Sequence, residues 1–184
     1  MRFSETAISG VTVVDIEPIR DDRGYFARTW CSSEFAAAGL EIPWVQSNIG
    51  VSDRSLTLRG MHYQNAPYEE YKLVRCTRGR VYDVAIDLRR GSPTYREAVA
   101  YELAEDDQRS LLIPPGCAHG YLTLEDNTHL EYLTSVAYVR DAVRGVRHDD
   151  AAFDVSWPAQ PTVISDQDLN WPVWLDEFAS DTSA

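Results

Sequence analysis

The run Arg59-Gly60-Met61-His62-Tyr63-Gln64 is followed, ten residues after His62, by Lys72, which brings one imidazole and one ammonium into a stretch that reads as two adjacent strands. Removing a proton beside a carbonyl requires a base active near neutral pH and a cation over the oxygen that becomes negative. His62 is the candidate base and Lys72 the candidate clamp. Arg59, Gln64, Asp83, His119 and Tyr132 recur at inward-compatible strand or turn positions. Polar side chains that point into a small barrel imply a wet, functional cavity. His62 alone reads equally well as a hydrogen-bonded structural histidine; Lys72 and Arg59 beside it favour the site.

Further groups join this set. Pro114-Pro115-Gly116-Cys117-Ala118-His119-Gly120 predicts a tight turn delivering His119 at the start of a strand, with Asp83 available to fix its tautomer. The same histidine also reads as a buried one bonded to a backbone carbonyl. Tyr132 and Tyr138 stand six residues apart, on one face of a strand that stays regular, although composition alone makes Tyr132 a packing aromatic. Ser165-Asp166-Gln167-Asp168 offers carboxylates that could orient His62, or equally a solvated turn or helix start. Arg23, Arg59 and Lys72 together suit a pyrophosphate, and Asp22-Arg23-Gly24-Tyr25-Phe26 adds an aromatic able to stack on a base.

The elements that must position these groups are short. Val11 to Ile16 reads as a first strand, and Asp21-Asp22-Arg23-Gly24 as its turn. A short helix, Glu34 to Ala38, is capped by Ser32 or Ser33 and ended by Gly39. From Val45 to about Tyr138, runs such as Lys72–Thr77, Val81–Leu88, Val99–Leu103, Leu111–Ile113, Tyr121–Leu124 and His129–Ser135 alternate with Gly, Pro, Asp and Asn, which predicts an antiparallel sandwich or barrel. Thr77-Arg78-Gly79-Arg80 is a hairpin turn and Ala104 to Gln108 a polar loop. After Asp150, the Trp157-Pro158, Pro161 and Trp171-Pro172 positions exclude a long regular element, and residues 176–184 are expected to fray.

The 184 residues suit a single domain, and 44% hydrophobic with 25% charged residues is ordinary for a folded soluble chain. A net charge of -12 argues against a nucleic-acid partner, while a local Arg and Lys cluster can still hold a small phosphorylated ligand. The odd count of three cysteines without a C-x-x-C pair speaks against a disulfide framework or zinc site and fits a reducing cytoplasm. No export signal or membrane span is visible.

With these segments in view the chain resembles the dTDP-4-dehydrorhamnose 3,5-epimerase family, the metal-free cupin sugar-nucleotide epimerases, from about Gly10 to Pro172. The matching segments are Asp22-Arg23-Gly24-Tyr25-Phe26, Gln46-Ser47-Asn48, Leu58 to Gln64, Lys72-Leu73-Val74, Asp83 to Arg89, Gly91-Ser92-Pro93-Thr94, Ile113 to Gly120 and Ser165 to Asp168. The resemblance implies an all-β, cupin-like jelly-roll barrel with a few short helices, a homodimer whose N-terminal strands pair across subunits, and a dTDP-linked 4-keto-6-deoxyhexose as substrate. It implies neither metal nor redox cofactor. It makes His62 the base, Asp168 its orienter, Lys72 the enolate clamp and Tyr132 the opposing acid. Arg59 and His119 line the pocket, Arg23 and Phe26 meet the nucleotide, Gln46 and Asn48 lie near base and sugar, and Tyr138 matches a second tyrosine near the substrate. Arg28 stands where many members carry an acidic residue that meets the thymine, and Glu69-Glu70-Tyr71 precedes Lys72 where a glutamine is common.

Two other functions share these residues. A metal-dependent cupin oxygenase or isomerase would use His62, His119 and Glu70 as ligands, but Gln64 is a poor ligand and Lys72 would repel a cation. A non-catalytic sugar-nucleotide-binding cupin needs the pocket but not a base and an acid on opposite faces of a sugar.

Overall fold

In the computed structural model, which describes residues 1–175, the short β-branched and aromatic runs become strands that pair antiparallel with one exception. In chain order these are β1 (Arg2–Glu5), β2 (Thr12–Asp15), β3 (Ile19–Asp21), β4 (Gly24–Phe26), helix α1 (Ser32–Ala37), β5 (Gln46–Ser52), β6 (Thr57–Gln64), β7 (Lys72–Arg78), β8 (Arg80–Asp87), β9 (Ala98–Ala104), β10 (Arg109–Ile113), β11 (Cys117–Thr123) and β12 (Thr128–Thr134). A 3₁₀ turn (Arg140–Ala142), β13 (Val143–Gly145), β14 (Val163–Ile164) and helix α2 (Asp166–Leu169) follow. The tail expected to fray, 176–184, lies outside the described residues.

Two sheets make the body, a cupin-like jelly roll. One runs β1-β2-β10-β7-β12-β5; the other runs β13-β6-β11-β8-β9, with β14 parallel to β6. Between them Val74, Cys76, Ala85, Leu111, Ile113, Tyr121 and Leu130 form the central core. The outer faces are covered as well. Leu73, Leu112 and Val14 pack on Phe35 of α1, while Val84, Ile86, Met61 and Ala118 pack on Val146, Phe153 and Trp174 from the C-terminal segment. Alternate residues of one strand therefore enter different cores, which is why Leu111-Leu112-Ile113 and Val84-Ala85-Ile86 are continuously apolar.

Four local readings are corrected. The residue capping α1 is Cys31, with no side-chain cap bond, rather than Ser32 or Ser33, which lie inside the first turn. His119 is the third residue of β11 rather than its first. Thr77-Arg78-Gly79-Arg80 does not turn a hairpin: β7 and β8 lie in opposite sheets and do not pair, and the chain bends at Gly79 from one sheet into the other. His62 and Lys72 do not sit on adjacent strands of one sheet: β6 and β7 belong to opposite sheets and meet across the interior. The cause is the connection through Ala66-Pro67, which carries the chain over the edge of the sandwich instead of turning a hairpin. Among the described residues no helix is long and apolar enough to cross a membrane.

Candidate active site

Between the sheets lies a cavity of about 780 Å³ lined from β5, β6, β7, β11 and β12, from Val136 and Tyr138 beyond β12, and from the β14–α2 segment. Its two histidines are cross-strand partners, His62 on β6 opposite His119 on β11. The close approach is possible because Gly60, at φ +123°, meets Gly120 where the register shifts; a Cβ on Gly60 would fall 2.5 Å from Gly120 Cα.

His62 Nε2 lies 2.6 Å from Asp168 Oδ1. With a carboxylate accepting, Nε2 carries the hydrogen and Nδ1 keeps the lone pair. Asp168 is only 4% exposed, and its second oxygen accepts the Gly60 N–H at 3.3 Å. Burial pushes its carboxyl up, but the His62 hydrogen bond and charge, with further bonds from Gly60 and Ser165, outweigh that and hold it below its usual range. The Ser165 side chain accepts from Asp168 N, so a one-turn helix fixes where the carboxylate stands.

His119 Nε2 bonds Asp83 Oδ1 at 2.7 Å, with Asp83 fully buried on the neighbouring strand β8. Both histidines are thus fixed in one tautomer by a carboxylate behind them.

From the facing sheet, Lys72 Nζ donates to the His62 carbonyl at 3.1 Å and pairs with Glu70 Oε1 at 3.2 Å. Glu70 also accepts from the Gln64 amide, whose oxygen takes the Val139 N–H at 2.7 Å. The Glu70 that a metal-cupin reading would use as a ligand is therefore turned toward an ammonium and an amide. Tyr132, also from the facing sheet, is half-buried; burial pushes its phenol up, against the pull of the Arg59 charge. Arg59 donates to Val51 O at 2.8 Å and Ser52 Oγ at 3.2 Å, which holds its guanidinium at the cavity wall. Gln46 donates to Asn48 Oδ1 at 2.7 Å and accepts the Tyr138 N–H at 3.1 Å. Strand β12 ends at Thr134, so Tyr132 and Tyr138 do not share one regular strand, yet both line the cavity.

Arg23, Phe26 and Arg28 lie elsewhere. They stand on or beside the β3–β4 hairpin, which pairs with neither sheet and does not line the cavity. Arg23 is 90% exposed and pairs with Asp21, Phe26 is 68% exposed, and Arg28 pairs with Glu34 at 3.1 Å. Tyr121, absent from the sequence-based site, joins the wall, its phenol pushed up to about 12 by burial. The period-two spacing from His119 is the signal that identifies it.

The assembly is a carboxylate-held imidazole on one sheet facing an ammonium and a phenol on the other. It can take a proton from carbon, balance charge on an adjacent oxygen and return a proton from the opposite side. The sequence profile of the dTDP-4-dehydrorhamnose 3,5-epimerase family matches residues 5–176. The dTDP-4-dehydrorhamnose 3,5-epimerase of Sinorhizobium fredii is 37% identical over 94% of this chain and 89% of its own. Among solved structures, the dTDP-4-dehydrorhamnose 3,5-epimerase from Bacillus anthracis with TDP and PPi bound superposes with a TM-score of 0.91 at 32% identity, covering 94% of this chain and 99% of that one. A 3'-monoepimerase from Streptomyces bikiniensis in complex with dTDP-quinovose gives 0.86 at 29% identity, covering 92% and 86%.

Proposed function

Since the chain belongs to the dTDP-4-dehydrorhamnose 3,5-epimerase family, enzymes that isomerise nucleotide-linked 4-keto-6-deoxy sugars, we propose that its cavity binds a dTDP-4-keto-6-deoxyhexose with His62 as the base. The C4 ketone acidifies the hydrogens on C3 and C5. Nδ1 of His62 takes one of them, the C–H electron pair moves to the ketone oxygen, and the Lys72 ammonium stabilises the resulting enolate. Tyr132 then delivers its phenolic proton to the same carbon from the far side, which inverts the centre. The Arg59 charge stabilises the phenolate left behind, and solvent restores both groups. The observation that carries this reading is the His62–Asp168 bond of 2.6 Å, which leaves a lone pair on a cavity-lining imidazole.

Arg59, His119, Gln46, Asn48 and Tyr138 are assigned to the sugar nucleotide. Arg23, Phe26 and Arg28 are assigned to the nucleotide end of a partner subunit's cavity, with the chain working as a homodimer. Their position on or beside a hairpin that does not line this chain's own cavity supports that assignment. So do the apolar side chains exposed on the hairpin, Ile19 at 72% and Phe26 at 68%, and on the open edge of β5, Ile49 at 55% and Val51 at 44%.

The test is incubation with dTDP-4-keto-6-deoxyglucose in heavy water, with NMR reading which of C3 and C5 gains deuterium and which is inverted. Deuterium at either carbon with inverted product supports the reading. In Tyr132→Phe the expected result is continued exchange without inversion. Binding of the sugar nucleotide with no exchange would overturn the proposal and leave a sugar-nucleotide-binding module.

A further inference from the structure

Trp171 follows α2 and lies against strand β13 at Gly145, the residue that pairs with His62 across β13 and β6. A Cβ on Gly145 would fall 2.2 Å from Trp171 Cε2, so the indole occupies a seat that only a glycine leaves open. From that seat its Nε1–H donates to Asp168 Oδ1 at 3.3 Å, onto the oxygen that already holds His62 Nε2 at 2.6 Å. Its ring meets the His62 ring edge-on, with centroids 6.2 Å apart and planes at 73°. The helix leading into it is tied down by Arg147 Nη1, which donates to Leu169 O at 2.9 Å. One side chain outside the cavity wall thus touches both members of the pair that performs the proton abstraction.

We propose that Trp171 is a positioning residue for the His62–Asp168 pair: its N–H fixes the carboxylate's rotation and its ring limits the swing of the imidazole. The inference rests on His62 being the base. With Gly60 N–H on Oδ2, Asp168 is held at both oxygens. Without the indole donor, Oδ1 is held only by the group it must itself orient. A misplaced base lowers the rate of the chemical step while leaving substrate affinity alone, because neither Trp171 nor Gly145 lines the cavity.

Trp171→Phe keeps a ring in the seat and removes the donor. The expected result is a fall in kcat and in deuterium wash-in of about tenfold, with KM unchanged, the effect of losing one hydrogen bond to a charged group. Gly145→Ala should evict the indole and give the same loss with the donor chemically intact. Native kcat in Trp171→Phe overturns the inference. Should neither variant fold, a substitution at the acceptor still decides: relative to native protein the Trp171 indole proton resonance should move upfield in Asp168→Ala, and an unmoved resonance overturns the inference. His62→Asn separates the two levels. Full wash-in there defeats the assignment of the base, whereas loss of wash-in there beside a native Trp171→Phe defeats only the role of Trp171.

Discussion

Replacing Asp168 by Asn changes almost no volume, so its effect reads the electrostatics of the base directly. At ~4 Å between charge centres and an effective dielectric of about 20, a carboxylate favours the imidazolium by about 4 kcal/mol. His62 is 38% exposed, and solvent screening reduces this to about 2 kcal/mol, roughly a 30-fold factor in rate. The hydrogen-bond pattern adds to that. Oδ1 faces two donors, His62 Nε2–H and Trp171 Nε1–H, and Oδ2 faces a third, the Gly60 N–H. An amide cannot satisfy both sides. With its oxygen toward His62 its NH₂ opposes Gly60 N–H; turned over, it forces the proton of His62 onto Nδ1 and removes the lone pair that takes the substrate proton. Either arrangement costs about another 1–2 kcal/mol, about tenfold. Deuterium wash-in at C3 and C5 should therefore fall about 300-fold in Asp168→Asn with KM little changed, within the range by which general bases contribute. Wash-in within about threefold of native would refute the reasoning, because the screened charge alone is worth ten times that.

Lys72→Met should lower wash-in by about 10²–10³ and also destabilise the fold by about 3 kcal/mol, because it strands the Glu70 carboxylate, 6% exposed, without its ammonium. Lys72→Met combined with Glu70→Gln should recover the melting temperature and not the activity. Mixing inactive His62→Ala protein with Arg23→Ala protein, assayed at low substrate, should restore activity when Arg23 serves the partner's cavity; no recovery after subunit exchange, verified by mass, would assign Arg23 to its own chain. For His148, burial lowers the imidazole below its usual 6.5, and its Nδ1 is buried without a hydrogen-bond partner among the described residues. The unfolded chain then binds the extra proton first, so the contribution of His148 is complete above about pH 6.5 and is lost as pH falls toward the folded-state value. Between about pH 7.5 and 5.5 the native melting temperature should drop more than that of His148→Gln, and equal drops would refute this.

Much of the fold was legible because local chemistry speaks for local structure. Gly79 between two β-branched runs marks where β7 gives way to β8, although the bend carries the chain into the other sheet rather than back along the same one, and Phe35 in a six-residue helix anchors α1. The strands Leu111–Ile113 and Val84–Ile86 were readable as strands, but their continuous apolarity hid which residue faced which core, since both faces are covered. Trp171 carried no site signal, because its role comes from the empty space at Gly145, 26 residues earlier.

Residue types and near neighbours determined that this chain carries polar groups of the kinds that chemistry beside a ketone requires, His62, Lys72 and Arg59, while only the family resemblance singles out Tyr132 as the acid. Where they stand was decided by the tertiary structure: His62 and Lys72, ten positions apart, face each other from opposite sheets, and Asp168 reaches His62 across 106 residues. The physical reason is that hydrogen-bond and charge geometry act over a few ångströms of space, whatever the separation along the chain, and burial between two packed sheets supplies the low dielectric in which those contacts are strong.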